Sequence, residues 1–72
     1  MVMYEPVNES RRLCDCKHDD VILIGGMGVT RYRVGRVSDK IICYNNITHA
    51  PTSTLIYGER CSQWVLVLFT DK

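Results

Sequence analysis

From Val21 onward the apolar positions come in short runs separated by turn-forming residues. Val21-Ile22-Leu23-Ile24 is halted by three glycines within residues 25 to 28, which permit a backbone reversal. Residues 29 to 37 alternate, with Tyr32 and Val34 on one face and Arg31 and Arg33 on the other. Read as a bulge, Gly35 would return Val37 to the apolar face and Arg36 to the arginines. Ser38-Asp39-Lys40 then reads as a tight turn and Ile41-Ile42-Cys43-Tyr44 as a third strand, ended by Asn45-Asn46. Residues 47 to 53 read as the longest connection, because Pro51 cannot pair in a sheet centre. Thr54-Leu55-Ile56-Tyr57 and residues 63 to 70 complete five antiparallel strands.

The first twenty residues are polar by comparison. Asn8 can cap a helix of one or two turns running through Glu9, Ser10, Arg11, Arg12 and Leu13. The expected architecture is mainly β: a small five-stranded antiparallel barrel of the Sm or SH3-like kind over residues 21–70, with a short N-terminal helix in the 1–20 segment. Composition agrees, since nineteen residues are Val, Ile or Thr and only nine are Ala, Leu or Glu. A chain of 72 residues has room for one domain and no more.

Trp64-Val65-Leu66-Val67-Leu68-Phe69 is apolar at both parities, as are residues 21 to 24 and 41 to 44. One small interior takes one face of each strand. The second face then expects the N-terminal segment, another copy of the chain, or a partner. Formal charge adds a polarity that the net value of +1 conceals. Residues 1 to 20 hold five carboxylates against three basic groups, whereas residues 29 to 44 hold four basic groups against one carboxylate. With no signal-like leader and no run long enough to span a bilayer, a cytoplasmic protein without membrane association is expected.

Little here can do chemistry. Cys14, Cys16 and His18, completed by Cys43 or Cys61, are the one set a zinc ion could use, but paired zinc-binding cysteines usually have two to four residues between them, and Cys14 and Cys16 have only Asp15. Buried or idle thiols are the simpler reading, so no cofactor is expected. His18 and His49 are the only histidines, and no nucleophile stands in a recognisable arrangement with either. The expected protein is therefore not an enzyme. Arg31, Arg33 and Arg36, with Lys40 beyond them, could instead line up on one strand face to neutralise phosphates, with Tyr44 or Tyr57 stacking a base.

Tyr4-Glu5-Pro6-Val7-Asn8 resembles the opening of the Rof family, small bacterial regulators that bind the transcription terminator Rho. Cys16-Lys17-His18 before Val21 is similar to the helix end of some members. Arg11 and Arg12 depart from the family's acidic helix. The resemblance implies an Sm-like barrel and an inhibitor that docks on Rho, with Glu5, Glu9, Asp15, Asp19 and Asp20 as acidic contacts. Residue pattern and resemblance together point to a bacterial or phage-encoded regulator or inhibitor. Its partner would be a protein, of the nucleic-acid machinery for example, met through those acids and Trp64. The rival is a nucleic-acid-binding barrel that uses the arginine strand.

Overall fold

The computed structural model describes residues 4–26, 28–48 and 51–71. Among these residues six strands run in the order β1 Tyr4–Arg12, β2 Val21–Ile24, β3 Arg31–Val37, β4 Lys40–Asn45, β5 Pro51–Gly58 and β6 Trp64–Asp71. They form one antiparallel sheet, arranged β1-β6-β2-β3-β4-β5. Flat strands about 4.8 Å apart would make a slab roughly 10 Å thick. The actual extents of 27 × 26 × 25 Å require a strongly coiled sheet, whose concave side wraps the core. The coil does not close into a barrel, because β1 and β5 stay at opposite ends of the strand order.

The expected N-terminal helix is absent, and its residues form β1. Asn8 does not cap anything; it takes φ +47° where the register with β6 slips between Pro6 and Glu9. Local propensity had little to set against pairing with β6, since a helix over Asn8 to Leu13 would have Leu13 as its one apolar side chain and no stripe to bury. As a strand, the same segment satisfies the free edge of β6 and still places Leu13 in the core. Among the described residues the sole helical element is a 3-10 turn, Leu13–Asp15, tied down by N–H donation from Leu13 to the Gln63 carbonyl and from Cys14 to the Cys61 carbonyl, both 2.8 Å.

Turn chemistry otherwise follows the sequence. Ser38, at φ +56°, opens the two-residue β3–β4 hairpin, where a left-handed first position matches the strand twist. Asn45 Oδ1 accepts from the backbone N–H of Ile47 at 2.8 Å and of Thr48 at 3.0 Å, which bends the chain after β4. The β5 strand begins at Pro51, earlier than expected; as an edge strand it tolerates the missing donor.

The core comprises Leu13, Cys16, Ile22, Ile24, Tyr32, Val34, Ile41, Cys43, Val65 and Val67. Each aliphatic side chain so buried contributes about 1.5–3 kcal/mol. One end of this interior is polar. Asp20 is wholly buried, accepting at one oxygen from Thr70 Oγ1 (2.7 Å) and at the other from the Lys17 N–H (2.9 Å). Its backbone carbonyl also accepts from Val34 N–H at 2.9 Å, so Asp20 knots three segments together.

Candidate interaction face

Strand register decides what the convex side carries. Phe69 pairs with both Pro6 and Val21, and Val67 pairs with both Glu9 and Ile22. Between those rows β6 contributes Leu68, β1 contributes Val7 and Asn8, and β2 contributes nothing. This double irregularity changes the parity of β6. Val65 and Val67 point inward, and beyond Leu68 it is Thr70 that turns in, leaving Phe69 outside. The convex face therefore has one cross-strand row of Phe69, Val21, Arg33 and Tyr44, and another of Ser10, Leu66, Leu23 and Arg31. Trp64, 61% exposed, ends the face with the Arg12 guanidinium 5.3 Å from its ring centroid.

The arginine stripe is shorter than the sequence suggests. Gly35 is not a bulge, because β3 and β4 pair without a break from Tyr32↔Asn45 to Val37↔Lys40. Alternation thus puts Arg36 on the concave side with Tyr32 and Val34. There its guanidinium donates to the carbonyls of Cys16, at 3.1 Å, and of Cys14, fastening the 3-10 turn to β3. Arg36, although exposed, is committed to these carbonyls and braces the turn. Arg31 and Arg33 share the convex face, with Lys40 exposed at the far end of the hairpin.

Gly35 has another reason to be glycine. A Cβ there would lie 2.5 Å from Cε2 and 3.2 Å from Cδ2 of Tyr44. The Tyr44 ring crosses the strand over the bare glycine, covering backbone that would otherwise be exposed. Together with His18, Asp19, Arg33 and Val34, these two residues line a cavity of about 290 Å³. His18 Nδ1 accepts from the Arg36 N–H at 3.2 Å, so the ring presents Nε2, 3.6 Å from Asp19 Oδ1. Asp19 sits at φ +71°, with its N–H given to the Val34 carbonyl at 2.7 Å. A wider cavity of about 540 Å³ lies further along the hairpin, between Val29, Thr30 and Arg31 on one side and Asn45, Asn46 and Ile47 on the other.

The five acidic residues do not make one patch. Asp20 is buried and cannot meet a partner. Glu9 pairs with Arg11 and follows the parity of inward Val67, Glu5 follows that of Thr70, and Asp15 lies in the 3-10 turn. Only Asp19 joins the convex-face cavity. The electrostatic grouping expected from the first twenty residues was a property of sequence proximity, and strand alternation disperses it.

The described residues bring no set of metal ligands together. The four cysteines are free thiols, and no three His, Cys, Asp or Glu side chains gather as metal ligands there. Burial, reinforced by Asp20, pushes the Cys16 thiol up to about 11. Burial pushes Cys43 up to about 12, with Cys16 and Cys61 adding to the effect. Such thiols stay protonated and unreactive. His49 lies outside the described residues. Compared with family models, curated proteins and solved structures, the chain finds no match in any of the three.

Pattern reading missed Arg12, Leu23, Leu66, Phe69 and Gly35 as residues of this face. A lone glycine inside a strand signals close approach of another group, and the Tyr44 ring is that group. Nothing in an unbroken apolar run marks where a bulge will reverse its parity, so Phe69 carried no comparable signal.

Proposed function

We propose that this chain is a non-enzymatic regulator or inhibitor that works by docking its convex sheet face on a protein partner. The observation that carries this reading is the content of that face. Trp64 and Arg12 stand at its end, and half-buried Leu66 and Phe69 on β6 and Leu23 on β2 continue from them. Aromatic and arginine side chains around an apolar centre are the composition of binding hot spots. With Arg12, Arg31 and Arg33 on the face, the complementary surface is apolar with an acidic rim. The resemblance of Tyr4-Glu5-Pro6-Val7-Asn8 to the Rof opening supports a bacterial or phage origin and a partner from the nucleic-acid machinery, a Rho-like terminator being the first to try. The dispersal of Glu5, Glu9 and Asp15 favours Trp64, not the acids, as the anchor.

The test is capture of a partner from bacterial lysate by the tagged chain, with nuclease present, followed by binding of the purified pair. Trp64→Glu and Leu66→Glu should each weaken that binding at least tenfold, roughly the loss of one hot-spot side chain. Retention of affinity by both variants, with the fold intact, would sink the docking face. A second reading, a surface for single-stranded nucleic acid, is favoured by Arg31, Arg33 and Tyr44 sharing one face. Nuclease-sensitive capture lost on Arg31→Glu with Arg33→Glu is its signature.

A further inference from the structure

We propose that the end of the sheet formed by the β2–β3 and β4–β5 connections docks on an anionic lipid surface, with its apolar tips inserted and a lipid phosphate on Arg31. Lipid docking goes beyond both readings above and depends on neither. The lack of a long apolar run bears on crossing a bilayer, not on lying against one.

Among the described residues five large apolar side chains stand exposed, and three of them gather at this end. Val29, 88% exposed, follows the glycines of the β2–β3 connection, and Ile47, 85% exposed, follows Asn45-Asn46 at the end of β4. Backbone pairing joins the two loops, since Tyr32 pairs with Asn45 and the Asn46 N–H donates to the Arg31 carbonyl at 3.0 Å. Trp64, the one tryptophan of the chain, is the third. Its neighbour Val65 pairs with Ile24, so Trp64 stands beside the start of the β2–β3 connection, with the Arg12 guanidinium over its ring. The cavity of about 540 Å³ lies between Val29 and Ile47, and Arg31 is the one charged residue among the described ones that line it.

Topography and charge together indicate what covers this end. A protein hot spot is a packed centre shielded by its rim. Here two almost fully exposed side chains project on either side of a hollow, and a rigid partner would need a fitted pocket for each. Lipid tails close around a projection of any shape. Between Asp20 and Glu59 the sequence has a single carboxylate, Asp39, which sits in the β3–β4 hairpin at the opposite end of those strands. An anionic headgroup therefore meets no repulsion from either loop, and its phosphate suits the Arg31 guanidinium. Trp64 takes the headgroup level, where an amphipathic ring is favoured. Phosphatidylserine and phosphatidylglycerol both fit; phosphatidylcholine, neutral overall, lacks the surface potential that attracts arginines.

The full chain is sedimented at low salt with vesicles of phosphatidylcholine alone, or of phosphatidylcholine with about 30 mol% phosphatidylserine or phosphatidylglycerol, while Trp64 emission is recorded. Both anionic mixtures should bind about tenfold more tightly than phosphatidylcholine, shift Trp64 emission to shorter wavelength, and release the chain as salt approaches about 1 M. Arg31→Gln should weaken binding about fivefold, the worth of one arginine near such a surface. Val29→Asn with Ile47→Asn should weaken it about tenfold or more. All three positions are exposed, and unchanged urea midpoints confirm the fold. Lys17→Gln removes an equal charge from the turn before β2, at the other end of that strand, and should leave binding within about twofold. Lipid docking is overturned if neither anionic mixture sediments the chain at about 1 mM lipid, if phosphatidylcholine binds as tightly, or if Trp64 emission stays unmoved on the bound chain. It is overturned equally if Lys17→Gln costs as much as Arg31→Gln, which makes the attraction one of general charge, or if the Val29 and Ile47 double variant binds as before. A double variant that loses a protein partner, with vesicles unbound throughout, gives this end to that protein instead. Each of these failures leaves the convex docking face standing, because that face is tested by Leu66→Glu against a protein.

Discussion

The two faces of β3 are built from one alternating sequence and hold opposite kinds of arginine. On the concave side Arg36 is committed to the Cys14 and Cys16 carbonyls, and its neighbours Tyr32 and Val34 are buried. On the convex side Arg31 is exposed, and half-buried Arg33 borders a cavity. The concave side is where stability resides. Exposed Arg31 on the convex side can change its chemistry with little effect on the fold. Charge alone does not distinguish a ligand from a brace; strand parity does.

Breaking the concave side should have the larger consequences. Ile22→Ala, which deletes a fully buried side chain at the centre of β2, should cost about 2–5 kcal/mol and leave the chain barely folded in a urea titration. Asp20→Ala strands the Thr70 hydroxyl and the Lys17 N–H and should cost ~2–3 kcal/mol by the same measurement. Alkali should act on the same interior. Cys16 and Cys43 titrate near 9.0 when unfolded but at about 11 and about 12 when folded, so the unfolded chain releases its protons first. Stability from both thiols is complete below pH 9 and falls as pH rises towards their folded values, at up to ~1.4 kcal/mol per pH unit for each. Urea midpoints measured on either side of that pH should show the decline, and Cys43→Ala should reduce its slope.

Smaller effects sharpen the contrast. Arg36→Gln removes the bonds that fasten the 3-10 turn and should cost ~1–2 kcal/mol, with faster amide exchange at Cys14 and Cys16. Arg31→Glu should move the urea midpoint least, by an amount equivalent to ~0.5 kcal/mol or less, because it changes an exposed side chain. An Arg31→Glu chain less stable than Arg36→Gln would mean that the division of labour across β3 is wrong.

Much of the β architecture was legible because it depends on local pattern. The runs at Val21, Ile41 and Trp64, the glycine-rich and Ser38-Asp39 turns, and the inward Tyr32 and Val34 all follow from side-chain alternation and turn chemistry. The N-terminal segment was not legible, because its state depends on an edge of β6 some sixty residues away, against which a weak helix propensity counts for little. Arg36 was misplaced for a related reason. A glycine can mark a bulge or a close approach, and only the ring of Tyr44 across the pair of strands distinguishes the two.

By itself, then, the sequence determined a small antiparallel β protein with more apolar strand than one interior absorbs and with its basic groups concentrated around the third and fourth strands. Tertiary structure alone decided that the sheet stays open, that β1 is its sixth strand, and that Phe69, Arg33 and Tyr44 share a face while Asp20 is buried and Arg36 reaches across to the 3-10 turn. Each of those outcomes rests on register. A shift of one residue between paired strands exchanges every inward side chain for an outward one, and register is set by partners distant in the chain.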